Sequence, residues 1–158
     1  MSLRLQEAFG LRREESIKIQ PAWADQGGSL RLKDSWTKGG RPREIPIRSE
    51  PQRQVLDEAK ALAGKGSLIP AEMRYVDQLR RFRTQCEQAG IHRVHGLRHA
   101  YAQARYAELT GWKSPANGGP RSGQLSAKQR AVDREARLLI SAELGHQREQ
   151  ITAVYLGR

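Results

Sequence analysis

The chain has 158 residues, enough for one domain with a real core and cramped for two. It carries 28 basic against 17 acidic side chains, a formal charge of +11. Of the cations 21 are arginine, whose planar fork meets a phosphate with two parallel hydrogen bonds. This balance points to a polyanionic partner such as nucleic acid and away from small acidic substrates, although arginine-rich codon usage would produce the same count. The lone Cys86 excludes an intramolecular disulfide and reads as a helix-packing thiol. No apolar run approaches the roughly 18 residues of a membrane span, and no signal segment opens the chain, so a soluble, cytoplasmic protein is expected.

In chain order, Leu3, Leu5, Ala8, Phe9 and Leu11 recur at helical spacing, and a second short helix is expected over Glu14 to Lys18 beyond Gly10. The next stretch differs in kind. A Gly-Gly turn precedes alternating Leu30 and Leu32, "TKGGRP" makes a tip, and Ile45 and Ile47 alternate on the return, which predicts a β-hairpin with a basic tip. Helical patterns then predict helices over 51–63, 71–89, 96–109, 126–143 and 149–156. The segment 110–124, "TGWKSPANGGPRSGQ", holds four glycines and two prolines and reads as a mobile surface loop. The expected fold class is mainly α with a small antiparallel β-hairpin. Met1-Ser2-Leu3 reads as an expression scar, and the abrupt helical start suggests a fragment of a longer protein.

Three of the four histidines, His92, His95 and His99, crowd the start of the 96–109 helix beside Arg93 and Arg98. His95 and Arg98 are three apart and share a helix face, near an N-terminus whose free N–H groups favour an anion. His95 and His99 have the i,i+4 spacing of a zinc pair, but Gly96 stands where the metalloprotease glutamate would be and Arg98 would repel a metal. The phosphate reading is preferred, and His99 is read as structural.

Set together, "FGLRREE", "TKGGRPREIPI", "HGLRHAYA" and "LGHQREQITAVYLG" resemble, in order, four boxes of the tyrosine-recombinase (phage-integrase) catalytic domain, most of all in integrases of integrative elements. The resemblance runs from position 9 to 157 and implies that family's fold across 1–158, with 110–124 as an insertion. Residue by residue, it implies that Arg12 is the first phosphate-clamping arginine and Lys38 the mobile general acid toward the leaving 5′ oxygen. His95 becomes the acid/base histidine, Arg98 the second clamping arginine, and His146 the last phosphate contact. Tyr155, nine residues after His146, becomes the nucleophile. Ile151, Val154 and Tyr155 fall at i, i+3, i+4, as an amphipathic helix anchoring the tyrosine would require. Arg13, Arg41 and Arg43 are expected DNA-backbone contacts, with Arg41 a weaker substitute for Lys38. Tyr75, Tyr101 and Tyr106 have no box around them and read as ordinary half-buried tyrosines.

The chemistry requires these types together. A tyrosine attacking a phosphodiester builds a more negative phosphorane, and two arginines plus histidine donors supply fixed positive charge where it develops. The resemblance implies no metal and no cofactor. Its implied partners are double-stranded DNA and further copies of the chain in a tetrameric synapse, within the bacterial cytoplasm at the nucleoid. Two features depart from the usual pattern: the interval of 48 residues from Arg98 to His146, and a chain that stops three residues after Tyr155 with no upstream clamp domain. Site-specific strand exchange is the leading reading. A type IB topoisomerase shares the cleavage step, and a DNA-binding relic without catalysis would share the basic surface; the complete set of catalytic residue types argues against the relic.

Overall fold

The computed structural model describes residues 1–146 and 149–158, with the side chains of all of these except 149–151. They form two compact units, Met1–Leu97 and Arg98–Arg158.

The first unit opens with α1 (Ser2–Phe9), α2 (Arg13–Lys18) and the one-turn α3 (Pro21–Ala24). The hairpin follows, with β1 (Ser29–Leu32) antiparallel to β2 (Arg43–Pro46) and Leu30 opposite Ile45. The alternation expected from the sequence is real: Leu30 and Leu32 are buried and Arg31 between them is exposed. Next come α4 (Glu50–Ala63) and α5 (Tyr75–Gln88). Ser49 caps α4 by accepting the Gln52 N–H at 3.4 Å, and proline stands in its first turn, where no backbone donor is needed. The helix expected from residue 71 starts at 75, because Pro70 begins a turn closed by the Met73 N–H to Pro70 O bond (2.9 Å).

Leu5, Phe9, Leu11, Ile17, Ile19, Leu30, Leu32, Ile45 and Leu56 lose essentially all solvent contact, each contributing about 1.5–3 kcal/mol of burial. Ile17 also packs with Phe82 and Cys86 of α5, so Cys86 is the helix-packing thiol expected of it, its pKa raised by burial. Cys86 also lines a cavity of about 240 Å³ together with Leu3, Phe82 and Ile91.

The second unit holds the body of α6 (Gly96–Thr110), α7 (Ala127–Glu143) and α8 (Glu149–Leu156). Ser126 and Gln129 form a reciprocal capping box at the start of α7. The segment 110–124, expected to be a mobile loop, is folded. It contains 3-10 turns at Pro115–Asn117 and Ser122–Gln124, and it buries Ser114 completely. Its glycines and prolines serve tight turns: the Asn117 and Gly119 N–H groups both reach Ser114 O at 2.9 Å. Among the described residues no helix is long and apolar enough to cross a membrane.

Candidate active site

In the first unit the loop from Phe9 into α2 carries Arg12 and Arg13, and the hairpin tip carries Lys38. Thr37 closes that tip, donating to Arg41 O and accepting the Arg41 N–H, both at 2.8 Å, which leaves Lys38 exposed at the turn. Arg12, Arg13, Lys38 and His95 line one groove of about 380 Å³, with Gln6, Glu14 and Val94. The structure thus gathers three of the residues singled out from separate boxes, plus Arg13, around one open, cationic recess.

A residue that sequence reasoning missed organises this side. Glu15 is fully buried and accepts four hydrogen bonds: the Arg12 N–H (2.7 Å), the Arg12 guanidinium (3.0 Å), and two from Arg43 (2.8 and 2.7 Å). Burial pushes its carboxyl pKa up, but the paired bonds and charge of Arg43, with those of Arg12, outweigh it and hold the group below the ordinary carboxylate range. The available signal was its place three residues after Arg12 at a helix start, where a carboxylate accepts free N–H groups.

Arg43 was expected to contact DNA; its side chain is only 7% exposed and its fork is spent on Glu15, so the hairpin strand is tied to α2 instead. Arg13 and Arg41 are exposed.

In the second unit three elements converge on one phenol. Arg98, 1% exposed on α6, donates from Nε to the Tyr155 hydroxyl at 3.3 Å. The same guanidinium bonds Leu144 O and lies 3.3 Å from His146 Nε2. The His146 ring stacks on the tyrosine ring at 5.4 Å and 17°, and His99 approaches it at 4.6 Å. His99, read as structural, is therefore a neighbour of the phenol.

The "LGH" box is a helix ending. The His146 N–H reaches Ser141 O at 2.8 Å and the Gly145 N–H reaches Ala142 O at 2.9 Å, the paired closure that turns a chain out of a helix. Gly145 has φ 67°, a conformation that penalises any side chain and explains the glycine before the histidine. Leu144 O, left over at that ending, is the carbonyl that Arg98 takes.

The expected anchoring of α8 through Val154 is corrected: Val154 is 68% exposed, while Thr152, Tyr155 and Leu156 form the buried face. A helix of this length takes its buried face from what surrounds it, and one apolar spacing does not determine it. The Ile151 side chain lies outside the described residues. Tyr101 and Tyr106 are the packed tyrosines expected, donating to Glu143 (2.7 Å) and Asp133 (2.5 Å). Among the described residues, no three of His, Cys, Asp and Glu are gathered as a metal site.

The chain matches the XerH site-specific recombinase, in a crystal structure of its post-cleavage complex with a palindromic difH substrate, with a TM-score of 0.59 at 16% identity. The match covers 99% of this chain and 41% of the XerH chain, so the present chain spans about two fifths of that protein's length. The likeness is one of fold, a mainly helical chain with a small antiparallel hairpin. The integrase family model matches residues 1–104, and the chain belongs to the integrase family. No curated protein matches the sequence.

Proposed function

We propose that this chain is the catalytic region of a site-specific DNA recombinase that cleaves and rejoins strands through a 3′-phosphotyrosine. The observation that carries the reading is the Tyr155 hydroxyl held by the buried Arg98 guanidinium, which also lies 3.3 Å from His146. That buried cation touches the attacking oxygen and is in place for the charge that develops on an attacked phosphate.

In the proposed reaction the Tyr155 oxygen bonds to phosphorus, the bond from phosphorus to the 5′ oxygen breaks, and Lys38 delivers a proton to the departing oxygen. His95 takes or relays the tyrosine proton, and Arg12 and Arg98 clamp the non-bridging oxygens. The ester stores the phosphodiester's free energy, so a 5′ hydroxyl from another strand reverses the step without ATP. Arg13 and Arg41 are proposed as backbone contacts; their exposure supports this. The partners are double-stranded DNA and further copies of the chain assembled on it as a tetramer, in the bacterial cytoplasm at the nucleoid.

A DNA substrate nicked near the scissile phosphate loses its short 5′ product and traps the covalent intermediate. Mass spectrometry is expected to find the DNA on Tyr155. Absence of any adduct, or an adduct on another residue, overturns the reading.

A further inference from the structure

The folded insertion supplies more than a connection. At its start, Trp112 Nε1 donates to the Tyr106 hydroxyl at 3.3 Å, and that hydroxyl donates to Asp133 at 2.5 Å. Asp133 also accepts Arg137 Nε at 2.9 Å, and Arg137 in turn donates to Gly157 O at 3.0 Å. A line of hydrogen bonds therefore runs from the insertion through α6 and α7 to the carbonyl just past the end of α8. All of it is largely buried: Tyr106 has no exposure, and the Arg137 and Asp133 side chains keep 10% and 15%. Burial and then the bond to Asp133 raise the Tyr106 pKa to about 12, so this hydroxyl stays a neutral donor at any working pH.

Two further contacts act on the same helix end. Gln103 Nε2 donates to Tyr155 O at 3.1 Å. Gly157, with φ +76°, packs so closely on the turn at Pro115–Asn117 that a Cβ there would lie 2.8 Å from Ala116 N and 3.2 Å from Pro115 Cβ. Helices of eight residues are marginal alone, and their last carbonyls lack internal partners. Here Gln103 of α6 takes the Tyr155 carbonyl, Arg137 of α7 takes the Gly157 carbonyl just past the helix, and the backbone of Gly157 rests on the insertion.

We propose that the insertion turn, Arg137 and Gln103 form a brace that positions Tyr155, holding its hydroxyl on Arg98 of the same chain. Arg137 and Gln103 are positioning residues: their bonds go to backbone carbonyls at and just past the end of the nucleophile's helix. This rests on the reading of Tyr155 as the nucleophile. Reacting groups displaced by about 1 Å lose on the order of 10²-fold in rate, so a brace distant from the phosphate can govern the chemical step.

The test is single-turnover trapping on the nicked substrate with the full chain, with DNA affinity measured separately. The wild-type adduct is first assigned to Tyr155. Arg137→Met and Gly157→Ala are expected to slow adduct formation about 10- to 100-fold while the Kd for DNA stays within about twofold. Arg137→Lys, which can still donate to Gly157 O, recovers part of the rate. Gln103→Leu removes a single contact, tests the brace without strain, and should slow the step by a smaller factor. Arg130→Ala releases Leu125 O at the far end of α7 (2.7 Å) and serves as the stability control, with its rate at the wild-type value. If the wild type labels Tyr155 but Gly157→Ala and Gln103→Leu react at the wild-type rate, the brace is overturned and the recombinase reading stands. A wild type that never labels Tyr155 overturns both.

Discussion

Replacing Glu15 with Gln tests the electrostatic frame of the first unit. The carboxylate accepts four hydrogen bonds at 2.7–3.0 Å, three of them from guanidinium groups, and none of its surface is open to water. A glutamine keeps one accepting oxygen and turns an NH₂ toward the remaining donors, so about half of those bonds become donor against donor. Each charge-assisted bond contributes about 1.5–3 kcal/mol, and breaking one side of a buried ion pair costs about 3–5 kcal/mol, so the expected loss is about 3–5 kcal/mol. Urea denaturation at neutral pH reads it directly.

The pH dependence gives an independent check on Glu15. Its folded pKa lies below its unfolded value, so its contribution is fully present above the unfolded pKa, near 4.3, and is lost as pH falls through the folded value. The wild type should therefore lose stability in acid by more than the Gln variant does. Freed from Glu15, Arg12 should also clamp less well, and trapping on nicked DNA should slow by about 10²-fold, as for loss of one preorganised donor. A variant within about 1 kcal/mol of wild type, with the same acid dependence, would refute the assignment of Glu15 as the buried anion that orders Arg12 and Arg43.

Tyr155→Phe should abolish the covalent adduct and move stability by no more than about 1 kcal/mol, since it removes one hydroxyl; Arg98→Ala keeps the nucleophile and should leave trace adduct, with a barrier raised by roughly 3 kcal/mol or more. Adduct formation by the Phe variant at the wild-type rate would contradict the assignment. Lys38→Ala should slow cleavage of an ordinary phosphodiester yet react well with a 5′-phosphorothiolate, whose sulfur leaves without a proton; equal slowing on both would remove Lys38 as the acid. For binding, roughly five to eight phosphate contacts predict a slope of log K against log salt near −4 to −7, at about −0.9 per phosphate, and a salt-independent affinity would contradict a phosphate-dominated interface.

Much of the molecule is legible in its residues because the signals are short-range. Alternating Leu30 and Leu32 set against Ile45 specify a hairpin, and the turn residues around Lys38 put that lysine at its tip. Gly145 before His146 marks a helix ending, since only glycine takes that backbone geometry without penalty. The order of the four boxes likewise belongs to the sequence.

Tertiary structure alone decided what each polar group meets. Arg98 and Tyr155 stand 57 residues apart and share a hydrogen bond only because α6 and α8 pack in one unit. Arg43 and Arg41 look alike in the sequence, but one is enclosed with Glu15 and the other faces solvent, because a carboxylate shut away from water must be met by donors from whichever element is folded over it. Val154 turns outward although its spacing suggested the core, and the glycine-rich insertion is folded although its composition suggested mobility. Periodicity and composition describe one segment at a time, whereas burial is a property of two surfaces that meet. That is why the partners of Glu15 and Gly157, and the outward turn of Val154, could be found only in the folded chain.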